Sequence, residues 1–393
     1  MRATVLAIGD APVSISPKNA ILSLSLGAFA VGASEYMISG LLGAVAVDLG
    51  VSVPTAGLLV SFYALGVAFG GPVVTMLTGR LPAKARLLLL VAIFVAGNLL
   101  CAAAPSYGML LAGRLIGAFC HGAFYGTASV VAGALVPIEQ RARAVALITA
   151  GVMVANIVGV PCGTALGQAF GWRAAFWVIS GFGAVAATAL VLCLPQNIGG
   201  APINIRSEIG ALLRPAVLLG FGLCFLFCFG LFALFTYMTP LLTLVSGAEA
   251  AQLPSLLLLF GIGATIGVIG GGRLADLGLL TAIGIAFATQ LAVYTMIVWL
   301  CPSLVAMHGL MFLLGATTMV VVAPLKTLIL SAAIDAPGLA STLTSSALHL
   351  GVAGGAAVGA SLLDHGLGYA GLPWIGIATT SIGLTVVWLW RRR

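Results

Sequence analysis

Residues 21–47 read ILSLSLGAFAVGASEYMISGLLGAVAV, and Glu35 is the one charged residue among them. The stretch exceeds the roughly 20 apolar residues that a helix needs to cross a bilayer. A carboxylate near the middle of such a helix costs about 3 kcal/mol or more unless it is protonated or paired, so an acid at this depth points to a functional site. The rest of the sequence is read for what could share that depth with Glu35.

Apolar runs of the same kind recur to the end of the chain. Of 393 residues, 61% are hydrophobic and 6% are charged, where a soluble protein would carry about 25% charge. The runs are too long and too continuous for the short alternating segments of a membrane β-barrel. The sequence therefore predicts an all-α polytopic membrane protein. The first run is also longer than a signal-peptide core and reads as a retained span.

Twelve spans are predicted. Six are Ile21–Val47, Thr55–Leu77, Leu87–Ala103, Gly108–Val136, Ala144–Phe170 and Trp172–Leu194. Six more are Ala216–Thr239, Leu253–Leu274, Leu279–Leu300, Leu304–Ile329, Ala340–Leu363 and Leu372–Trp390. The polar, breaker-rich segment PQNIGGAPINIRSEIGALLRP, residues 195–215, divides them. The expected organisation is an N-terminal segment (1–19), a six-helix bundle (20–194), a central linker (195–215), a second six-helix bundle (216–390) and a short tail (391–393).

The net charge of +7 does not indicate nucleic acid, because the bases are spread over short loops rather than gathered on one face. They set orientation instead. With the N-terminus inside, Arg2, Lys18, Arg80, Lys84, Arg86, Arg141, Arg143, Arg206, Arg214, Arg273, Lys326 and Arg391 to Arg393 fall on the inner face. Only Arg173 falls outside, and Arg114 lies within a span. Both termini are expected in the cytoplasm. The seven cysteines match no zinc or haem spacing and read as small packing residues.

The two halves resemble each other at an offset of 197 residues. Gly66 aligns with Gly263, Leu77 with Leu274, and Gly171-Trp172…Trp177 with Gly368-Tyr369…Trp374. Duplicated six-span halves around a central cavity describe a secondary transporter with its site near the membrane midplane.

Span four, GMLLAGRLIGAFCHGAFYGTASVVAGALV (108–136), carries Arg114 and, about two turns on, His121 on the same face. Arg114 either clamps backbone carbonyls of a neighbouring helix or faces the cavity and acts on a carboxyl. His121 either packs as a neutral side chain or joins substrate binding and proton relay. In span five, TAGVMVANIVGVPCGTALGQAF (149–170), Gly151, Gly159, Gly163 and Gly167 line one face and Pro161 interrupts the helix. Such a small-residue face admits close helix approach, and a proline bends it. The same face is a candidate surface on which the two halves rock.

The loops LTGRLPAKARL (77–87) and GGRLADLGLL (271–280) hold Arg80, Lys84, Gly272 and Asp276. Short charged loops of this kind can pin helix ends, and Asp276 is placed to meet a helix N-terminus or an arginine.

These stretches resemble the major facilitator superfamily, in its twelve-span drug:proton antiporter branch. Within it the sequence is similar to bacterial sugar- and drug-efflux permeases of the arabinose-efflux and chloramphenicol-resistance type. The resemblance rests on ASEYMISGLLGAVAVDLGVSVPTAGLLVSFYALGV (33–67), GRLIGAFCHGAFYGTASVVA (113–132), ANIVGVPCGTALGQAFGWRAAFW (155–177) and APGLA (336–340). It implies the major facilitator fold, two pseudo-symmetric six-helix bundles. It places Arg114 at the family's proton-coupling arginine and Glu35 at a membrane-embedded acid. Gly151, Gly159, Pro161 and Gly163 resemble the antiporter motif, and Gly272, Leu274, Ala275 and Asp276 the inner-loop motif. The first-half loop departs from that motif, with Thr75 and Gly79 in place of its usual Gly and Asp. The span-five motif is spaced differently, and His349 stands where similar permeases often carry Asn.

The expected function is proton-coupled efflux of small neutral or amphipathic molecules by alternating access across the bacterial inner membrane, with protons and Glu35, Arg114 and His121 in the coupling. Phe62, Tyr63, Tyr125, Asn156, Tyr237, Gln290 and His349 are the candidate cavity lining, each with packing as its alternative. The alternative function is an importer or an uncoupled facilitator of the same fold. No cofactor or metal set is read from the sequence, and a monomer suffices. An intramembrane enzyme would need a nucleophile–base pair or a metal set, and His121, His308 and His349 lie on different spans without an HExxH pattern.

Overall fold

The structure is a computed structural model that describes residues 16–196, 210 and 212–392. Arg2, Arg206, Arg393 and most of the linker lie outside the described residues. Every regular element among the described residues is helical. Among the described residues, twelve helices are long and apolar enough to cross a membrane: Pro17–Leu49, Val53–Leu77, Ala83–Ala102, Tyr107–Ala134, Ile138–Phe170, Trp172–Cys193, Pro215–Leu244, Ala250–Ala275, Leu279–Leu300, Leu304–Ala332, Leu339–Asp364 and Tyr369–Arg391. They are called spans one to twelve below.

Prolines shape four of them. A proline withdraws one backbone N–H and crowds the carbonyl four residues earlier. Span two carries a π-helical turn at Gly66–Gly70 ahead of Pro72, and span five carries one at Ala155–Gly159 ahead of Pro161. Span seven breaks after Phe235 ahead of Pro240, and continues as Met238–Leu244, beyond the Thr239 end predicted from sequence. Span ten breaks at Val321 ahead of Pro324. Gly50 ends span one in the left-handed region, φ 63°, where only glycine is at ease.

The packing in one bundle recurs in the other. Span one lies on spans five and six as span seven lies on eleven and twelve, and span three lies on six as nine lies on twelve. Span two crosses span four where Gly66 meets Ala118, and span eight crosses span ten where Gly263 meets Phe312. The aligned glycines therefore mark equivalent helix crossings. The aligned Gly-aromatic pair is less faithful. Gly171 turns at φ 84°, whereas Gly368 is extended at φ −65°, ψ 157°. Trp177 and Trp374 are nonetheless both about half exposed on the bundle surface.

The two bundles meet through spans two and eleven, five and eight, and one and seven. These contacts are broad at the end bearing Asp48 and Arg173 and reach the π-helical turns. They thin out toward the end that bears the linker, where Gly71–Leu77 and Arg141–Val154 scarcely touch the other bundle. At the closed end Thr239 Oγ1 donates to Ser39 O at 2.9 Å, Gln168 Nε2 donates to Ala250 O at 2.8 Å, and Tyr237 packs on Gly57.

Candidate functional site

Glu35 sits halfway along span one, 9% exposed, where the closed and splayed parts of the interface join. Its Oε1 lies 3.2 Å from His349 Nε2 of span eleven, and its Oε2 lies 3.6 Å from His121 Nε2 of span four. The carboxyl thus touches a histidine of its own bundle and one of the other.

The far nitrogens of both rings are engaged. His349 Nδ1 is 2.8 Å from Ser345 O. A carbonyl only accepts, so Nδ1 carries the hydrogen. The neutral ring then presents a lone pair at Nε2 to the Glu35 oxygen, and two lone pairs repel. The contact is attractive only when a proton lies between them, on the carboxyl or on Nε2. His121 Nδ1 is 3.1 Å from the Tyr63 hydroxyl, and its ring packs edge-on against Tyr125 and His349.

Arg114 is 2% exposed. Its Nη1 donates to Ser34 O at 2.6 Å and its Nη2 to Glu35 O at 3.2 Å, with the guanidinium 3.9 Å above the Tyr63 ring. Of the two arrangements considered from sequence, the hydrogen bonds realise the carbonyl clamp. They hold the backbone of Glu35 while its side chain is left to the histidines. Nε has no hydrogen-bond partner among the described residues.

The other predicted residues divide. Tyr63 and Tyr125 adjoin the cluster, and Tyr125 also donates to Ala28 O at 2.8 Å. Phe62 is exposed. Asn156 is buried in the π-turn of span five, where its carbonyl meets Gly261 of the other bundle. Tyr237 donates to Ala356 O at 2.8 Å and packs at the closed interface. Gln290 is enclosed within the second bundle, with Nε2 2.9 Å from the Tyr294 hydroxyl.

The glycine face of span five serves its own bundle rather than the interface between the two. Gly151, Gly159, Gly163 and Gly167 lie against Ser25, Ala33, Met37 and Leu41 of span one. The surface offered to the other bundle is the bend at Asn156 and Ile157. Lys84 lies at the end of span six, with Nζ donating to Val191 O at 2.7 Å and Leu194 O at 2.6 Å. Arg80 and Gly272 are exposed. Asp276 is not at a helix N-terminus. It follows the last turn of span eight, and no ion pair among the described residues includes it.

Three features escaped the sequence reading. Asp48 Oδ2 accepts from Arg173 Nη1 at 2.6 Å and from Trp172 Nε1 at 3.0 Å. The single base expected outside was the available clue. Asn98 Oδ1 accepts from Ser34 Oγ at 2.8 Å, beside the Arg114 clamp. Ser346 Oγ of span eleven donates to Ala68 O at 2.8 Å, the carbonyl four residues before Pro72. Ser346→Ala removes this bond, worth about 1 kcal/mol. It is expected to raise the population open at the Arg173 end roughly fivefold, read as a longer-distance component between spin labels at residues 49 and 250.

The sequence profile of the Major Facilitator Superfamily matches residues 24–356. The chain is 36% identical over 373 residues to the inner membrane transport protein YdhP of Escherichia coli K12, covering 95% of this chain and 96% of that one. It is 33% identical over 374 residues to a chloramphenicol resistance protein of Streptomyces lividans, covering 94% and 95%. Among solved structures, it resembles a bacterial homologue of the human lysosomal transporter Spinster, captured inward-facing and occupied. The TM-score is 0.72 at 18% identity, over 98% of each chain.

Proposed function

The chain belongs to the major facilitator superfamily, transporters rather than enzymes, and from that premise we propose that it exports small neutral or weakly amphipathic molecules across the bacterial inner membrane in exchange for protons. The observation that carries the reading is Glu35, buried at mid-span and joined to histidines of both bundles. The name of the Streptomyces relative supports a drug-like substrate, and that of the Escherichia coli relative supports the inner membrane.

In this mechanism residues 20–194 and 216–390 rock as two units, with both termini and the linker cytoplasmic. The described arrangement is then the inward-open one. The proton shared by Glu35 and His349 bridges the bundles. Substrate entering from the cytoplasm competes for the carboxyl, and proton uptake from outside later displaces it outward. Such competition supplies the differential affinity between states that a ligand-driven conformational change requires. Arg114 fixes the height of Glu35 through its backbone. Tyr63 and Tyr125 adjoin the carboxyl with amphipathic rings, which suits an uncharged substrate. A single chain contains both bundles, so the monomer is the transporting unit.

The test is pH change inside liposomes reconstituted with the pure protein, adding phenicols, sugars and lipophilic cations in turn. Substrate-triggered proton flux is the expected result. Tracer transport without proton flux would establish an uncoupled facilitator, and inward accumulation with protons a symporter.

A further inference from the structure

We propose that Glu35, His121 and His349 form a binding site for a late first-row divalent ion, such as Zn²⁺ or Co²⁺, which ties the two bundles together when bound. The three offer one carboxylate oxygen and two imidazole nitrogens, and these donor atoms all lie within 4.8 Å of one another. Ligands about 2.1 Å from a tetrahedral ion stand about 3.4 Å apart, so rotations that move the donors by about 1 Å close the set.

The outer groups are arranged as metal-binding histidines require. A ligating imidazole usually donates its other N–H to a carbonyl or another acceptor, which fixes the tautomer and aims the free lone pair. His349 does this with Ser345 O, and the Tyr63 hydroxyl, 3.1 Å from His121 Nδ1, can accept in the same way. Both Nε2 atoms then face Glu35. A cation among them satisfies the same lone-pair opposition that a proton satisfies in its absence. Two nitrogens and one carboxylate favour zinc, cobalt or nickel over magnesium or calcium, which take oxygen ligands. Three protein ligands leave a fourth position for water or a substrate atom. The positive charge of nearby Arg114 opposes a dication, so binding is weaker than at a closed structural zinc site.

Glu35 and His121 belong to the first bundle and His349 to the second. A bound ion therefore adds coordinate bonds across the interface and stabilises the arrangement described here. Binding stands on geometry alone, whereas arrest of transport by the ion rests on the transport reading above.

The test is titration of Co²⁺ into the EDTA-stripped full-length protein in detergent. The expected result is one ion per chain with the intense visible absorption of four- or five-coordinate Co²⁺, displaced by Zn²⁺. His349→Asn and His121→Asn should each weaken binding at least about tenfold, and His308→Asn should leave it unchanged, because His308 Nδ1 bonds Leu304 O within span ten. Zn²⁺ should raise the unfolding temperature of the wild type but not of His349→Asn. Absence of the band in folded wild type, or an equal band in His349→Asn, would overturn the proposal. If that variant fails to elute as a folded monomer, Glu35→Gln decides in its place, since it too removes a ligand. A cobalt band in a protein that shows no proton flux would leave the metal site standing and remove only the coupling.

Discussion

Glu35→Gln is expected to reduce substrate-driven proton flux to the level of protein-free liposomes while the protein still inserts, folds and elutes as wild type. Glutamine keeps the shape of the side chain, and its amide can donate to His349 Nε2, which stands 3.2 Å from the carboxyl. It also removes an acid whose cost at the centre of a bilayer is about 3 kcal/mol, so stability is held or gained. What it cannot do is release and recover a proton. A loss of flux with retained substrate binding assigns the carboxyl to coupling. Unchanged uphill efflux in the folded variant would sink that assignment and return Glu35 to a structural role. His121→Gln is the informative companion, because it keeps the inter-bundle contact with His349 and perturbs only the neighbour within the first bundle.

Gly263→Val is expected to prevent assembly of the second bundle. A Cβ at Gly263 would collide with the carbonyl oxygen of Phe312, and Gly267, Gly271 and Gly315 face equally close backbone on the same crossing. Backbone cannot rotate away as a side chain can. Spans eight and ten would have to separate along their length, at a cost of about 3 kcal/mol or more. The equivalent crossing in the first bundle is more forgiving. A Cβ at Gly66 would stand 2.7 Å from the Ala118 methyl, which is fixed to its backbone, so Gly66→Ala should lower the thermal midpoint, but by less than Gly263→Val, whose added carbons meet a carbonyl oxygen at closer range. The comparison of the two in a thermal-shift assay with size exclusion checks the argument. Equal tolerance at both positions would mean that the stripe does not set the approach of spans eight and ten.

The helices were legible in the sequence because a bilayer demands about 20 apolar residues per crossing, and few other signals are so insensitive to tertiary context. Glu35 and Arg114 were legible for the same reason, as charges where charge is costly. His121 was read on the face of Arg114 and grouped with both, but the pairing of Glu35 with His349 was not legible. His349 lies 314 residues from Glu35 along the chain, and no local pattern reports a contact of that range. Its departure from the Asn of similar permeases was the one available hint. The glycine face of span five was visible as a face, but periodicity cannot say which neighbour it meets, and the neighbour proved to be span one. Gln290 read as lining because it is polar within a span. Its Nε2 instead bonds the Tyr294 hydroxyl, four residues on within the same span, a pairing that polarity alone does not distinguish from a cavity contact. The surroundings of Asp276 were hard to read for another reason, since one helix ends at it and the next begins three residues on.

The π-helical turns of spans two and five bear on how the membrane stays sealed. Each lies where a proline-loosened helix touches a more regular helix of the opposite bundle, at Ala68 against Ser346 and at Asn156 against Gly261. A seam between two rigid cylinders gapes when they tilt, and acyl chains would fill the gap. A seam with one compliant edge can flex instead, because a wide turn converts to a regular one by shifting a single residue of register. On the transport mechanism proposed above, softness at these two lateral joints would let solute access at the ends alternate while the sides remain closed to lipid.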